Sequence, residues 1–125
     1  MDKQGRRPGW NEYFMQISQM VASRSTCLRR KVGAVLVLEN RILATGYNGS
    51  PTGLRHCDEV GCLRQERGTA SGEDLHLCRG SHAEANLINQ CAKFGIRAEG
   101  STLYINTSPC NSCMKLLINV GVKRI

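Results

Sequence analysis

The sequence predicts an α/β layered domain, and three observations carry that prediction. Segments with the spacing of an amphipathic helix alternate with short, β-branched apolar runs. In order they read helix, two strands, a long loop, helix, strand, helix and the beginning of a further strand. The 125 residues suit one core, so residues 1–125 are read as a single domain.

The elements follow in chain order. Residues 1–9 (MDKQGRRPG) are expected to be flexible. From Trp10 to about Ala22, apolar side chains recur at Trp10, Tyr13, Phe14, Ile17, Met20 and Val21, which predicts an amphipathic helix. Val32–Leu38 (VGAVLVL) and Arg41–Tyr47 are apolar strand-like runs joined through Glu39 and Asn40, and read as a hairpin. Residues 48–80 form a long loop that opens on the turn formers NGSPTG. Ser81 is expected to cap a helix that carries Glu84, shows one apolar face (Ala83, Leu87, Ile88, Cys91, Ala92) and stops near Gly95. Cys91 is expected in the core. Thr102–Thr107 alternates as a strand, and Cys110–Val120 returns to helical spacing before Gly121. Val122–Ile125 starts a strand, so the sheet reads as truncated after the start of its fourth strand: either a fragment of a longer protein or a sheet completed by another chain.

Composition narrows the function. Hydrophobic residues make up 41% and charged residues 22%, enough apolar matter for a packed core. The start lacks the apolar stretch of a secretory signal and no run is long enough to span a bilayer, so a cytoplasmic protein is expected. A formal charge of +7 favours anionic partners. Seven cysteines are an odd number for a disulfide framework, and metal binding reads better.

The chemistry sits in His82-Ala83-Glu84 and, 28 positions after the histidine, in Pro109-Cys110-Asn111-Ser112-Cys113. One imidazole and two thiolates make a three-ligand zinc site, which leaves a coordination position open for water, as catalytic zinc requires. Both half-motifs are predicted to open helices, whose free N–H groups and positive dipole end favour thiolates. Glu84 is the candidate proton shuttle between that water, a ring nitrogen and the departing ammonia. His-x-Glu followed by Pro-Cys-x-x-Cys is the pattern of zinc nucleobase deaminases.

Taken together, KVGAVLV, TGYNGSPTG, HAEANLI and TSPCNSCMKLLINVGVKRI resemble the deoxycytidylate (dCMP) deaminase family, in the bacterial and phage branch of the cytidine deaminase superfamily. The resemblance runs from about Ser25 onward. It implies a three-layer α/β/α fold with a mixed central sheet and zinc-dependent hydrolysis of dCMP to dUMP and ammonia, supplying dUMP for thymidylate synthesis. It also implies a homo-oligomer, with dCTP and dTTP as effectors. In the family pattern Asn48 is similar to a sugar-hydroxyl ligand and Ser50 to a phosphate contact, while Ala83, Thr107 and Ser108 line the pocket. Arg29, Arg30, Lys31 and Arg55 are the cations available to a phosphate. Cys27, His56, Cys62 and Cys78 are the candidate ligands of a second, closed zinc site, with Cys57 and His76 as substitutes; such a site would order a loop that has few apolar anchors.

Three other readings stay open. The motifs alone also fit a deaminase of a riboflavin precursor, of cytidine or of adenosine in tRNA. A zinc-stabilised nucleic-acid module would suit the charge, but one Trp, three Tyr and two Phe offer no basic run with interleaved aromatics. A non-catalytic fragment folded around zinc is the third.

Overall fold

The computed structural model describes residues 6–51, 53–68 and 80–125. Its elements are α1 (Trp10–Ala22), β1 (Gly33–Leu38), β2 (Arg41–Tyr47), α2 (Cys57–Val60), α3 (Leu63–Glu66), α4 (Ala83–Phe94), β3 (Thr102–Ile105) and α5 (Asn111–Asn119). The strands lie in the order β2-β1-β3, with β1 antiparallel to both neighbours. Glu39 and Asn40 connect β1 to β2 with φ of 52° and 59°. Two successive positive φ values suit the right-handed twist of a two-residue hairpin.

The uniform apolarity of β1 has a direct cause: helices cover both of its faces. Val35 and Val37 pack with Phe14 of α1, which Ile17, Val21 and Tyr104 flank. On the other face Ala34 and Leu36 join Leu87 and Cys91 of α4, Leu103 of β3 and Leu117 of α5. The result is the expected three-layer α/β/α arrangement, with Cys91 in the core as its place on the apolar helix face required.

Two glycines set how closely the outer layers approach. A Cβ on Gly33 would run into Ser18 O and Ala22 N, 2.8 Å from Ala22 Cα, because α1 lies directly against β1 there. A Cβ on Gly46 would run into Ala83 O and stand 2.7 Å from Leu87 N, so α4 is equally close to β2. The helix that carries the His-x-Glu motif is therefore seated on the sheet backbone.

Beyond β3, the expected last strand is present as a parallel bridge between Thr102 and Arg124. Lys123 N–H donates to Ser101 O at 2.7 Å, and Leu103 N–H to Arg124 O at 2.8 Å. The three named strands are antiparallel throughout, so the mixed character expected of the sheet rests on this bridge.

Two local expectations are corrected. The stretch read as loop contains two single-turn helices, α2 and α3. Ser81 is not the cap of α4: it bridges to Gly49, with Ser81 N–H to Gly49 O at 2.8 Å and Gly49 N–H to Ser81 O at 3.2 Å. Strand-like pairing of its backbone displaces the cap position to His82.

Candidate active site

The positions of the metal-type residues follow from where two helices start. His82 is the N-cap residue of α4 and Cys110 the N-cap residue of α5; both are extended, and neither makes a side-chain cap hydrogen bond. An N-cap side chain ordinarily accepts a hydrogen bond from the second or third N–H of the helix. Here both point elsewhere, towards each other. His82 Nδ1 lies 3.6 Å from Cys110 Sγ and 3.4 Å from Cys113 Sγ.

These spacings can be tested against a metal. Zinc–nitrogen bonds of about 2.0–2.1 Å and zinc–sulfur bonds of about 2.3 Å at tetrahedral angles place N and S about 3.5 Å apart. The observed pair of distances brackets that value. Among the described residues, His82, Cys110 and Cys113 are the one group of three whose ligand atoms lie within 4.8 Å of one another. Three protein ligands leave a position free, as catalytic zinc sites do.

Charge gives a second test. Cys113 is 3% exposed and Glu84 4% exposed. Burial first, then the negative charges of Glu84 and Cys110, push the Cys113 thiol far above the ordinary thiol range. Converging acidic groups in a buried place are what a divalent cation relieves. The residues present fit zinc on donor set, on spacing and on charge.

A cavity of about 610 Å³ opens beside this group and reaches from His82, Glu84 and Cys110 to Arg29 and Arg30. Asn48, Ala83, Thr107 and Ser108 also line it, while Ser50 does not. Ser50 Oγ is buried without a hydrogen-bond partner, and its backbone N–H points at His56 Nδ1 at 3.4 Å. The Asn48 amide braces the backbone: its Oδ1 accepts from Val32 N–H at 2.9 Å and its Nδ2 donates to Arg30 O at 2.7 Å. Cys27, Cys57 and Cys62 line the same cavity. His56 Nδ1 also lies 2.8 Å from Thr26 Oγ1. Cys78 and His76 lie outside the described residues.

Sequence reasoning missed three asparagine or glutamine side chains that hold the site together. Asn86 Nδ2 donates to Tyr47 O at 2.8 Å and reaches Gly49 O and Ser81 O at 3.3 Å, tying α4 to the end of β2. Gln90 Oε1 accepts from Thr45 N–H at 3.0 Å. Asn106 Oδ1 accepts from Gly33 N–H at 3.0 Å, and its Nδ2 donates to Lys31 O at 3.2 Å. Asn86 left a signal: asparagine is a poor interior helix residue, and one in the first turns of a helix asks for a partner outside it.

Fold and site together define a three-layer α/β/α protein with a His/Cys/Cys group able to hold a metal ion between two helix starts. The profile described as the cytidine and deoxycytidylate deaminase zinc-binding region matches residues 8–125, and the chain belongs to that family. ComE operon protein 2 of Bacillus subtilis is 44% identical over 119 residues, covering 95% of this chain and 59% of that protein. Deoxycytidylate deaminase of Schizosaccharomyces pombe is 39% identical over 119 residues, covering 95% of this chain and 37% of that protein. This chain thus spans less than two thirds of either relative. Among solved structures, the dCMP deaminase of cyanophage S-TIM5 in complex with dCMP and dUMP superposes with a TM-score of 0.77 at 33% identity, covering 94% of this chain and 79% of that one.

Proposed function

We propose that this protein deaminates dCMP to dUMP by zinc-dependent hydrolysis. The observation that carries the reading is the meeting of His82 Nδ1 with the Cys110 and Cys113 sulfurs at 3.6 and 3.4 Å, with buried Glu84 two residues beyond the histidine. The likeness to proteins named for dCMP deamination selects the substrate from those that such a site can serve.

His82, Cys110 and Cys113 would hold the zinc. When bound there, zinc lowers the pKa of a water towards neutrality. Glu84 takes a proton from water and delivers it to the ring nitrogen beside C4. Oxygen adds at C4; Glu84 then carries a proton to the amino group, the C4–N bond breaks, and ammonia leaves as the C4 carbonyl forms. One water enters for each ammonia released. Burial of Glu84 keeps bulk water from competing for these protons. Ala83, Thr107 and Ser108 lie on the cavity wall near the ligand pair, in place to bound the ring. Asn48 has one acceptor lone pair and one amide hydrogen beyond its two backbone bonds, which can serve the sugar hydroxyl.

A second zinc belongs to the same reading. Its support is the presence of Cys27, Cys57 and Cys62 on one cavity wall. Metal analysis giving two zinc ions per chain supports the second site, and one ion per chain ends it. A homo-oligomer regulated by dCTP and dTTP also follows from the family likeness. Exposed Trp10, Met20, Phe94 and Ile118 supply apolar surface for assembly. No helix among the described residues is long and apolar enough to cross a membrane.

Zinc-loaded protein incubated with dCMP, CMP, deoxycytidine and a tRNA anticodon stem tests the proposal. Ammonia and dUMP should appear from dCMP in preference to the others. Intact zinc stoichiometry with no ammonia from dCMP would refute it.

A further inference from the structure

We propose that Asn86 is a positioning residue that sets the turn carrying Asn48 in register with the metal-site histidine His82. The inference rests on the deaminase reading of the same cavity and deepens it. Asn86 lies off the cavity wall, so it acts through these two neighbours, which are both on it. The peptide groups on either side of His82 both end on Asn86. Ser81 O accepts from Asn86 Nδ2 at 3.3 Å, and His82 O accepts from the Asn86 backbone N–H at 2.9 Å. The same side chain holds the peptide groups around Asn48: Nδ2 donates to Tyr47 O at 2.8 Å and to Gly49 O at 3.3 Å. An amide nitrogen carries two hydrogens, so the short bond takes one and the two longer contacts share the other. Directly beneath it, Gly49 and Ser81 exchange N–H···O bonds at 3.2 and 2.8 Å.

What the amide joins is already firm on both sides. Asn48 O accepts from Ser25 Oγ at 2.9 Å. Asn48 and Asn106 together hydrogen-bond Arg30 O, Lys31 O, Val32 N–H and Gly33 N–H, so residues 30–33 are clamped from both sides. On the other side, α4 is seated against the sheet at Gly46, where no Cβ fits. Turn and helix would each persist without Asn86; the amide fixes how one stands relative to the other. That relation has a chemical use. A nucleotide held at Asn48 presents its ring to the group formed by His82, Cys110 and Cys113, and Asn86 sets the reach between the two. A small slip leaves the contacts of binding largely intact, whereas a reaction that depends on near-attack alignment loses rate steeply.

The deciding variant is Asn86→Leu, which keeps the size of the side chain and deletes its donor; Asn86→Ala repeats the test where leucine is not accommodated. Ser101→Ala is the control for lost stability alone: it removes the buried bond from Ser101 Oγ to Ala98 O at 2.5 Å, and Ser101 lies off the cavity wall. All proteins are zinc-loaded and compared at a temperature where circular dichroism shows them folded. Asn86→Leu should lose on the order of 10- to 100-fold in kcat for dCMP, while KM and the calorimetric affinity for dUMP stay within about threefold. Ser101→Ala should melt lower and keep its kcat. With cobalt in place of zinc, the visible absorption bands, which report ligand geometry, should shift in Asn86→Leu and not in Ser101→Ala. Amide protons of Gly49 and Ser81 should exchange faster in Asn86→Leu than in wild type. A kcat within about twofold of wild type, a loss carried wholly by KM, or equal losses of kcat in Asn86→Leu and Ser101→Ala would overturn the assignment. An unshifted cobalt spectrum would also overturn it. Wild type that deaminates nothing, with a spectrum that still shifts in Asn86→Leu, would sink the deaminase reading and keep the brace on His82. Wild type that deaminates dCMP, matched by Asn86→Leu in kcat and spectrum, would do the reverse.

Discussion

Replacing Gly46 by alanine should damage the metal centre from the far side of α4. The added Cβ would stand 2.7 Å from Leu87 N and 2.8 Å from Leu87 Cβ, and closer still to Ala83 O, where ordinary contact begins at 3.4 Å. Helix and strand must therefore part by at least about 0.7 Å at Leu87. Two of the three obstructing atoms are backbone, so no rotamer change relieves them. Overpacking of this kind costs about 1–3 kcal/mol, or roughly 3–10 °C in melting temperature for a domain of this size. The displaced backbone includes Ala83, between His82 and Glu84, and a misplacement near 1 Å costs about 100-fold in a reaction that depends on alignment. Gly33→Ala is the internal control. Its Cβ meets α1 on the opposite face of the sheet. Both variants should lower the melting temperature, measured by circular dichroism; Gly46→Ala alone should also weaken zinc in a chelator competition and lower kcat for dCMP. If the two variants lose zinc affinity to the same degree, or Gly46→Ala loses none, the claim that α4 is held in place by Gly46 is wrong.

Four further outcomes are expected. Glu84→Gln should retain one catalytic zinc by metal analysis and lose about 100- to 10,000-fold in kcat, since the amide cannot carry the proton; near-normal turnover would remove Glu84 from the mechanism. Asn86→Ala should lower stability by about 1–3 kcal/mol in urea unfolding, because Tyr47 O loses its 2.8 Å donor and the loop start loses its tie to α4. Glu39→Asn should raise stability by about 0.5–1 kcal/mol, as asparagine adopts the positive φ of 52° more readily than glutamate; no gain would show that the turn is relaxed already. The pH dependence has a defined sign. The folded Cys113 thiol lies above its unfolded value, through burial, Glu84 and Cys110, so the zinc-free fold keeps this contribution below the unfolded thiol range and loses it as pH rises beyond about 8.5. Melting temperature of the zinc-free protein should fall above that pH while that of the zinc-loaded protein holds, and parallel curves would contradict the assignment.

Much of this molecule is legible in the sequence because its signals are local. Helical spacing placed α1 from Trp10 to about Ala22, and the two apolar runs with Glu39-Asn40 between them gave the hairpin. The metal residues were legible because chemistry restricts them to a short list at fixed spacing. What escaped depends on distant partners. Ser81 reads as an N-cap until Gly49, 32 positions away, claims its backbone. The four-residue helices α2 and α3 are too short to show a period.

The paired asparagines flanking residues 30–33 have one more consequence. Their amides supply, from side chains, what a neighbouring strand would supply from its main chain. Amide protons of Val32 and Gly33 should therefore exchange with deuterium as slowly as those of the sheet interior. The entropy lost in straightening that stretch is lost during folding, and a visiting molecule encounters a wall that has already settled.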